Sequence, residues 1–191
     1  MARPVRMKGA IERAALELFV ERGVDGTSIR EIASRAGVTE GALYRHHKSK
    51  DDLVRALFFE NYHLFAAMIK RVRAAHDGVE DLLPALVEAF FGLYDEDHYV
   101  FEFIMLVQHA LLDEVKTDEA NPVELVSRIV REAIRKRQVP KQDANLTTAL
   151  LVGLVIQPAV GVRYGRVKRP LVRHAPFVSR ACLELLQLGK S

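Results

Sequence analysis

A chain of 191 residues is long enough to bury one or two cores, and its single cysteine, Cys182, excludes an intramolecular disulfide or a multi-cysteine zinc site. Its 28 basic and 25 acidic residues are unevenly placed. Residues 1–50 carry ten Lys+Arg against six Asp+Glu, a net of +4, while the other eighteen and nineteen give −1. A basic N-terminal quarter is what a surface facing phosphates requires. The start, Met1 to Arg6, is basic, but no apolar stretch and cleavage site follow it, so no signal peptide is expected. The most apolar run, Ala149 to Val162, is interrupted by Gln157 and Pro158 and falls short of the roughly 18 residues that span a bilayer. A soluble, cytoplasmic protein with no membrane partner is expected.

Helical spacing recurs throughout and period-two alternation does not, which predicts an all-α fold of about nine helices. In the first, Ile11, Ala14, Ala15, Leu18 and Phe19 share a face, and Gly23 ends it. Ser28 and Glu31 have capping-box spacing at the start of a short second helix, broken by Gly37. Thr39 caps a third helix running to about His47. Ser49 with Asp52 caps a long fourth, whose stripe is Leu53, Leu57, Leu64, Met68 and Val72 and which lasts to about Ala75. A fifth helix is predicted over Leu82 to Tyr94 and a sixth over His98 to about Leu112, with a polar loop from Asp113 to Ala120. Asn121-Pro122-Val123-Glu124 is a start signal for a seventh, to about Gln138. The eighth covers Asp143 to Tyr164, with a kink expected at Pro158. The ninth covers Pro170 to Leu188.

Two short helices joined by a tight glycine turn make a helix-turn-helix, in which the second presents its first residues to the major groove. Ser28 to Arg35, Ala36-Gly37-Val38 and Thr39 to His47 meet that description. Ile29, Ile32, Ala33, Val38 and Leu43 point inward, and the outward positions are small or polar. The string from Phe19 to Ala33, FVERGVDGTSIREIA, and from Ala36 to Leu53, AGVTEGALYRHHKSKDDL, resembles the DNA-binding domain of the TetR/AcrR family of one-component transcriptional regulators. The likeness covers residues 8–55. It departs at His47, where the family carries an aromatic or aliphatic residue; a partly exposed or hydrogen-bonded histidine is expected there.

The resemblance implies a homodeomain-like three-helix DNA-binding domain over residues 1–50 and a helical effector-binding and dimerisation domain over residues 51–191. It implies phosphate contacts for Thr27, Thr39, Tyr44, His46, Lys48 and Lys50, and base-edge positions for Arg30, Glu40, Gly41, Ala42 and Arg45. Chemistry bounds what these can read: Arg30 or Arg45 can pair with guanine, Glu40 can accept from cytosine, and Ala42 can touch a thymine methyl. The function implied is a repressor released from a palindromic operator by a small, lipophilic effector.

The resemblance also implies a homodimer through the last two helices. Leu146 to Val162 is apolar nearly all round, Gly153, Ala159 and Gly161 permit close approach, and helix nine offers Phe177, Val178, Ala181, Leu185 and Leu188. Ten of the fourteen Phe and Tyr lie between Phe58 and Phe103. An apolar cavity with a few polar groups is the usual small-molecule site, and the candidate lining is Tyr62, Phe65, Met68, Phe90, Phe91, Tyr94, Phe101, Met105, Gln108, His109 and Gln157.

An enzyme is not expected, and neither metal nor cofactor is called for. Glu60 and His63 have the Glu-x-x-His spacing of di-iron bundles, but the only partial echo is Asp95 with His98, and solvated helix faces account for these residues. The competing reading from another class is a helical protein-interaction module without DNA binding; the basic N-terminal quarter argues against it.

Overall fold

Short polar side chains write the helix starts. Ser28 Oγ accepts the Glu31 amide at 3.2 Å while Glu31 Oε2 accepts the Ser28 amide at 2.9 Å, the reciprocal capping box. Asn121 Oδ1 takes the amides of Val123 and Glu124, with Pro122 at the first helical position, and Asp143 Oδ1 takes those of Asn145 and Leu146. The computed structural model describes residues 3–117 and 120–187. Among these, every helix or strand assigned is helical: α1 (Arg3–Arg22), α2 (Ile29–Ala36), α3 (Glu40–Tyr44), α4 (Lys50–Ala74), α5 (Val79–Glu96), α6 (His98–Val107), α7 (Leu112–Thr117), α8 (Pro122–Arg135), α9 (Ala144–Arg163), a 3-10 turn (Leu171–His174) and α10 (Ala175–Gln187).

The all-α expectation is met, with differences that have physical causes. The sixth helix stops at Val107. A separate α7 forms where a polar loop was expected, with Asp113 and Glu114 in its first turn and Lys116 in its last, the order that suits a helix dipole. Glu114 also pairs with Arg55 of α4. The fifth helix begins three residues early, at Val79, where Glu80 and Asp81 fill its first turn. Helix α9 runs on through Pro158. The predicted ninth helix is divided into the 3-10 turn and α10, and Leu188 lies outside the described residues. Leu64 does not join the α4 stripe; it is 56% exposed, because the buried face swings mid-helix to Tyr62, Ala66 and Ile69.

The chain divides into two compact units, one holding the described residues of 1–62 and 99–117 and the other those of 63–98 and 120–187. In the first, Ile11, Ala14, Ala15, Leu18 and Phe19 are buried as their spacing predicts, and Phe19 stacks on Phe103 at 5.8 Å. In the second, α5 contributes Leu82, Leu83, Leu86, Val87 and Phe91, and α8 contributes Ile129, Val130 and Ala133. Lys136 and Arg73 hold Glu132 at 2.7 and 2.8 Å and together lower its carboxyl to about 2. Cys182 is core, and burial pushes its thiol up to about 11.

At the end of α8, Arg137 adopts a left-handed φ of 58° so that the Gln138 amide can reach Ala133 O at 2.9 Å. That position favours glycine, because a Cβ there crowds the neighbouring carbonyl. Arg137→Gly is expected to stabilise the chain by about 0.5–1 kcal/mol, raising the melting temperature by roughly 1–4 °C. Thermal unfolding by circular dichroism measures it; an unchanged or lower midpoint contradicts the expectation.

Candidate nucleic-acid interface

The turn between α2 and α3 is built on Gly37, whose φ of 68° caps α2 while its amide reaches Ala33 and Ser34 carbonyls. Val38 N then bonds Ala33 O at 2.9 Å, reversing the chain within three residues. Ile32, Ala33 and Leu43 are buried and Ile29 and Val38 half-buried, so α2 and α3 hold each other by the residues named as inward. Thr39 Oγ1 accepts the Ala42 amide at 3.2 Å, which starts α3 and leaves the hydroxyl proton free to donate outward.

The outward row is formed by Thr39, Glu40, Gly41, Tyr44, Arg45 and Lys48, all exposed, with Ala42 and His46 half-buried between them. Arg30 is exposed on α2. No side chain longer than Glu40 stands at the first three positions of α3, so its N-terminal end can approach base edges closely. Helix α3 is only five residues long, and the backbone bonds of His46 and His47 to Leu43 O carry the chain on to α4. Lys48 is fixed through its backbone, its amide bonding Asp52 Oδ2 at 3.0 Å.

Two expected phosphate donors are used otherwise. Thr27 is 2% exposed, and its hydroxyl donates to Leu18 O and Gly23 O, locking the α1–α2 loop. Burial behind that loop removes it from the contact row. Lys50 Nζ donates to Val24 O at 2.9 Å and Thr27 O at 3.2 Å, so two of its three protons hold the same loop. His47 is neither partly exposed nor hydrogen-bonded through its ring: it is 3% exposed, and burial pushes the ring below its ordinary pKa.

The candidate effector residues fall in both units. In the second, the Phe65 and Phe90 rings lie 5.5 Å apart, Phe90 and Phe91 6.2 Å apart, and the Tyr94 hydroxyl donates to Ala159 O at 3.4 Å. Met68 is buried in the same unit. Gln157 does not turn inward; it is exposed on the α9 face that carries Leu146, Leu150 and Gly153. In the first unit Tyr62 stacks on Phe58 at 5.1 Å, Phe101 is buried, and Gln108 donates to Met105 Sδ at 3.4 Å. His109 is exposed, because α6 has ended and the chain is turning. An open crevice of about 640 Å³ in the second unit is lined by other residues, among them Glu80, Arg137, Lys141 and Gln187.

Asp95 also corrects an expectation. It is not a solvated helix-face residue, since its carboxylate accepts the amides of Leu171 and Val172 at 2.8 and 2.9 Å. Glu60 of the Glu-x-x-His spacing lies 3.7 Å from Lys8.

The sequence profile of bacterial regulatory proteins of the tetR family matches residues 11–57, the stretch that forms this helix-turn-helix. Those residues belong to a TetR-family DNA-binding domain. The chain is a DNA-binding transcriptional regulator and not an enzyme. It is 27% identical over 157 residues to the HTH-type transcriptional activator FasR of Mycolicibacterium smegmatis, covering 82% of the chain and 71% of that protein. It is 24% identical over 181 residues to the fatty acid metabolism regulator protein of Bacillus subtilis, covering 92% of the chain and 91% of that protein. The crystal structure of FadR from Bacillus subtilis in complex with stearoyl-CoA shares the fold, with a TM-score of 0.74 at 21% identity, over 96% of this chain and 100% of that one. By length and composition α9, at twenty residues, is apolar enough to cross a membrane, which the shorter run from Ala149 did not suggest. Its outward residues, Leu146, Ala149, Leu150 and Gly153, form one stripe.

Proposed function

We propose that the chain is a cytoplasmic, homodimeric repressor that leaves a palindromic operator when a fatty acyl effector of the acyl-CoA type binds. In this reading residues 1–50 bind DNA and residues 51–191 bind the effector and the second copy. The observation that carries it is the outward row from Thr39 to Lys48, where a small-residue face is bordered by Tyr44, Arg45 and Lys48. Base contacts on such a face specify a sequence, and the hydroxyl and ammonium donors beside it position the backbone. A dimer is supported by the uncovered apolar side chains of α9 and its neighbours: Leu146, Leu150, Tyr164 at 69% exposure and Phe177 at 78%. Leu146 and Leu150 lie one turn apart on the same side of α9, and exposed apolar surface on one helix face marks a partner-binding site. Two copies related by a two-fold axis read half-sites a helical turn or a multiple apart.

The acyl class is supported by the fatty acid metabolism regulator of Bacillus subtilis and the FadR complex with stearoyl-CoA among the similar proteins, and by the aromatic side chains Phe65, Phe90 and Phe91, which suit a hydrocarbon chain. Light scattering is expected to give twice the 21.5 kDa chain mass. A duplex selected from a random-sequence pool should be symmetric, and stearoyl-CoA should weaken its binding by about 5- to 150-fold, the usual range of coupling between two sites. Stearate and coenzyme A are tested separately to assign the part recognised. An affinity unchanged by all three compounds rejects the acyl reading.

A further inference from the structure

His47 is buried where the turn after α3 meets α1 and α4, and the outward row makes no use of its ring. Nε2 lies 3.7 Å from Glu12 Oε1 on α1, and Nδ1 lies 3.9 Å from Asp52 Oδ2 in the first turn of α4. Among the described residues, His47 Nε2 is a buried side-chain nitrogen without a hydrogen-bond partner, while Glu12 Oε1, also buried, has the Lys8 ammonium as its ionic partner. A neutral imidazole has one N–H and one acceptor nitrogen, so it can satisfy at most one of the two carboxylates. An imidazolium has two donors, one for each. The donor count of the site therefore fits the charged ring.

The surrounding charges decide which form is held. Burial acts most strongly and favours the neutral ring, Glu12 and Asp52 favour the charged one, and Lys8 and His46 oppose it. Lys8 Nζ is 3.1 Å from Glu12 Oε1 and 3.7 Å from Glu60 Oε2, so its charge offsets part of the attraction. The sum keeps the ring neutral at pH 7 in the free protein, with a gap longer than a hydrogen bond on either side. A duplex changes that sum. Tyr44, His46 and Lys48 flank His47 in the chain, and phosphates held by them bring negative charge toward the ring.

We propose that His47 is a proton-linked positioning residue for DNA binding: its ring takes up a proton as the duplex binds, then donates through Nε2 to Glu12 and through Nδ1 to Asp52. The clamp ties the turn after α3 to α1 and α4. Asp52 Oδ2 already accepts the Lys48 amide, so the same carboxylate would fix the backbone that presents Lys48. The linkage has a definite sign. In the free protein the neutral ring contributes stability that is present above its ordinary value and lost as pH falls below it. In the complex the charged ring is favoured, so affinity rises as pH falls.

The test is calorimetric titration of the full chain with a duplex selected from a random-sequence pool, in buffers of different ionisation heat. Affinity is expected to rise about fivefold from pH 7.5 to 6.0, with net proton uptake of at most about one per protomer. His46 is the neighbouring histidine in the chain, so His46→Gln is run in parallel and should retain most of the uptake. His47→Phe restores the aromatic type that the TetR/AcrR pattern carries there, and His47→Gln keeps a polar neutral group. Both should bind the duplex with the His47 part of the uptake gone, and a histidine ring resonance should titrate higher in the wild-type complex than in the free chain. Uptake that survives in both His47 variants, or vanishes in His46→Gln, overturns the proposal, as does pH-independent binding. Failure to bind any duplex at either pH instead removes the DNA-binding function on which the proposal rests.

Discussion

Asp95→Ala is expected to destabilise the chain by about 3 kcal/mol, because two charge-assisted hydrogen bonds of roughly 1.5–3 kcal/mol each are lost against some recovered solvation. The 3-10 turn over Leu171–His174 begins at Pro170, which supplies no side-chain cap. Asp95, in the last turn of α5, serves as the missing cap from 76 residues away, Oδ1 taking the Leu171 amide and Oδ2 the Val172 amide. Arg169 closes the arrangement, with its guanidinium donating to Asp95 O at 2.8 Å and lying 5.8 Å from the centre of the Tyr94 ring. Leu171 is fully buried, so alanine at 95 leaves its amide with little access to water. Asp95→Asn keeps one acceptor and turns an amide N–H₂ toward the other backbone N–H, which should cost about half as much. Urea unfolding of the three proteins measures the series. Equal stability of Asp95→Ala and wild type would show that the two amides find other partners, and an Asp95→Asn chain weaker than Asp95→Ala would contradict the capping account.

What could be read from the sequence follows the distance over which each feature is determined. The capping box Ser28–Glu31, the Gly37 turn, the Thr39 cap and the Asn121-Pro122 start depend on residues at most five apart, and all stand where they were predicted. The buried face of α1 follows from its 3.6-residue period. Features set by remote partners were not legible. The Asp95 cap joins residues 76 and 77 apart, and no local pattern at Asp95 announces it. Thr27 has the right chemistry for a phosphate, yet its hydroxyl is used by carbonyls of α1 and the loop after it, which composition cannot show. A polar group in an apolar helix suggests a pocket, but the apolar residues of α9 occupy both faces and give Gln157 no direction. His47 stands out in the sequence by its departure from the family pattern. Its neighbours, Glu12 and Asp52, come from α1 and α4, so its burial between two carboxylates could not be inferred.

The contact row itself makes the second large expectation, which separates positioning from reading. Lys48 is exposed and its backbone is held by Asp52, so Lys48→Ala removes a charge without disturbing the turn. Each phosphate contact releases about 0.9 counterion equivalents, so the slope of log affinity against log salt should become shallower by about 0.9 per protomer bound. At moderate salt the loss should be on the order of tenfold, and the same for selected and scrambled duplexes. Arg45 stands at the end of α3 with its side chain exposed, and the proposed reading assigns it a guanine edge. Arg45→Ala should leave scrambled duplexes bound nearly as before and cost about 1–3 kcal/mol on the selected one, at one base position per half-site. Fluorescence anisotropy at four salt concentrations distinguishes these outcomes. A Lys48→Ala slope equal to wild type removes Lys48 from the phosphate contacts. A uniform loss across sequences in Arg45→Ala moves Arg45 from the base edges to the backbone, leaving Arg30, Glu40 and Ala42 to carry the sequence preference.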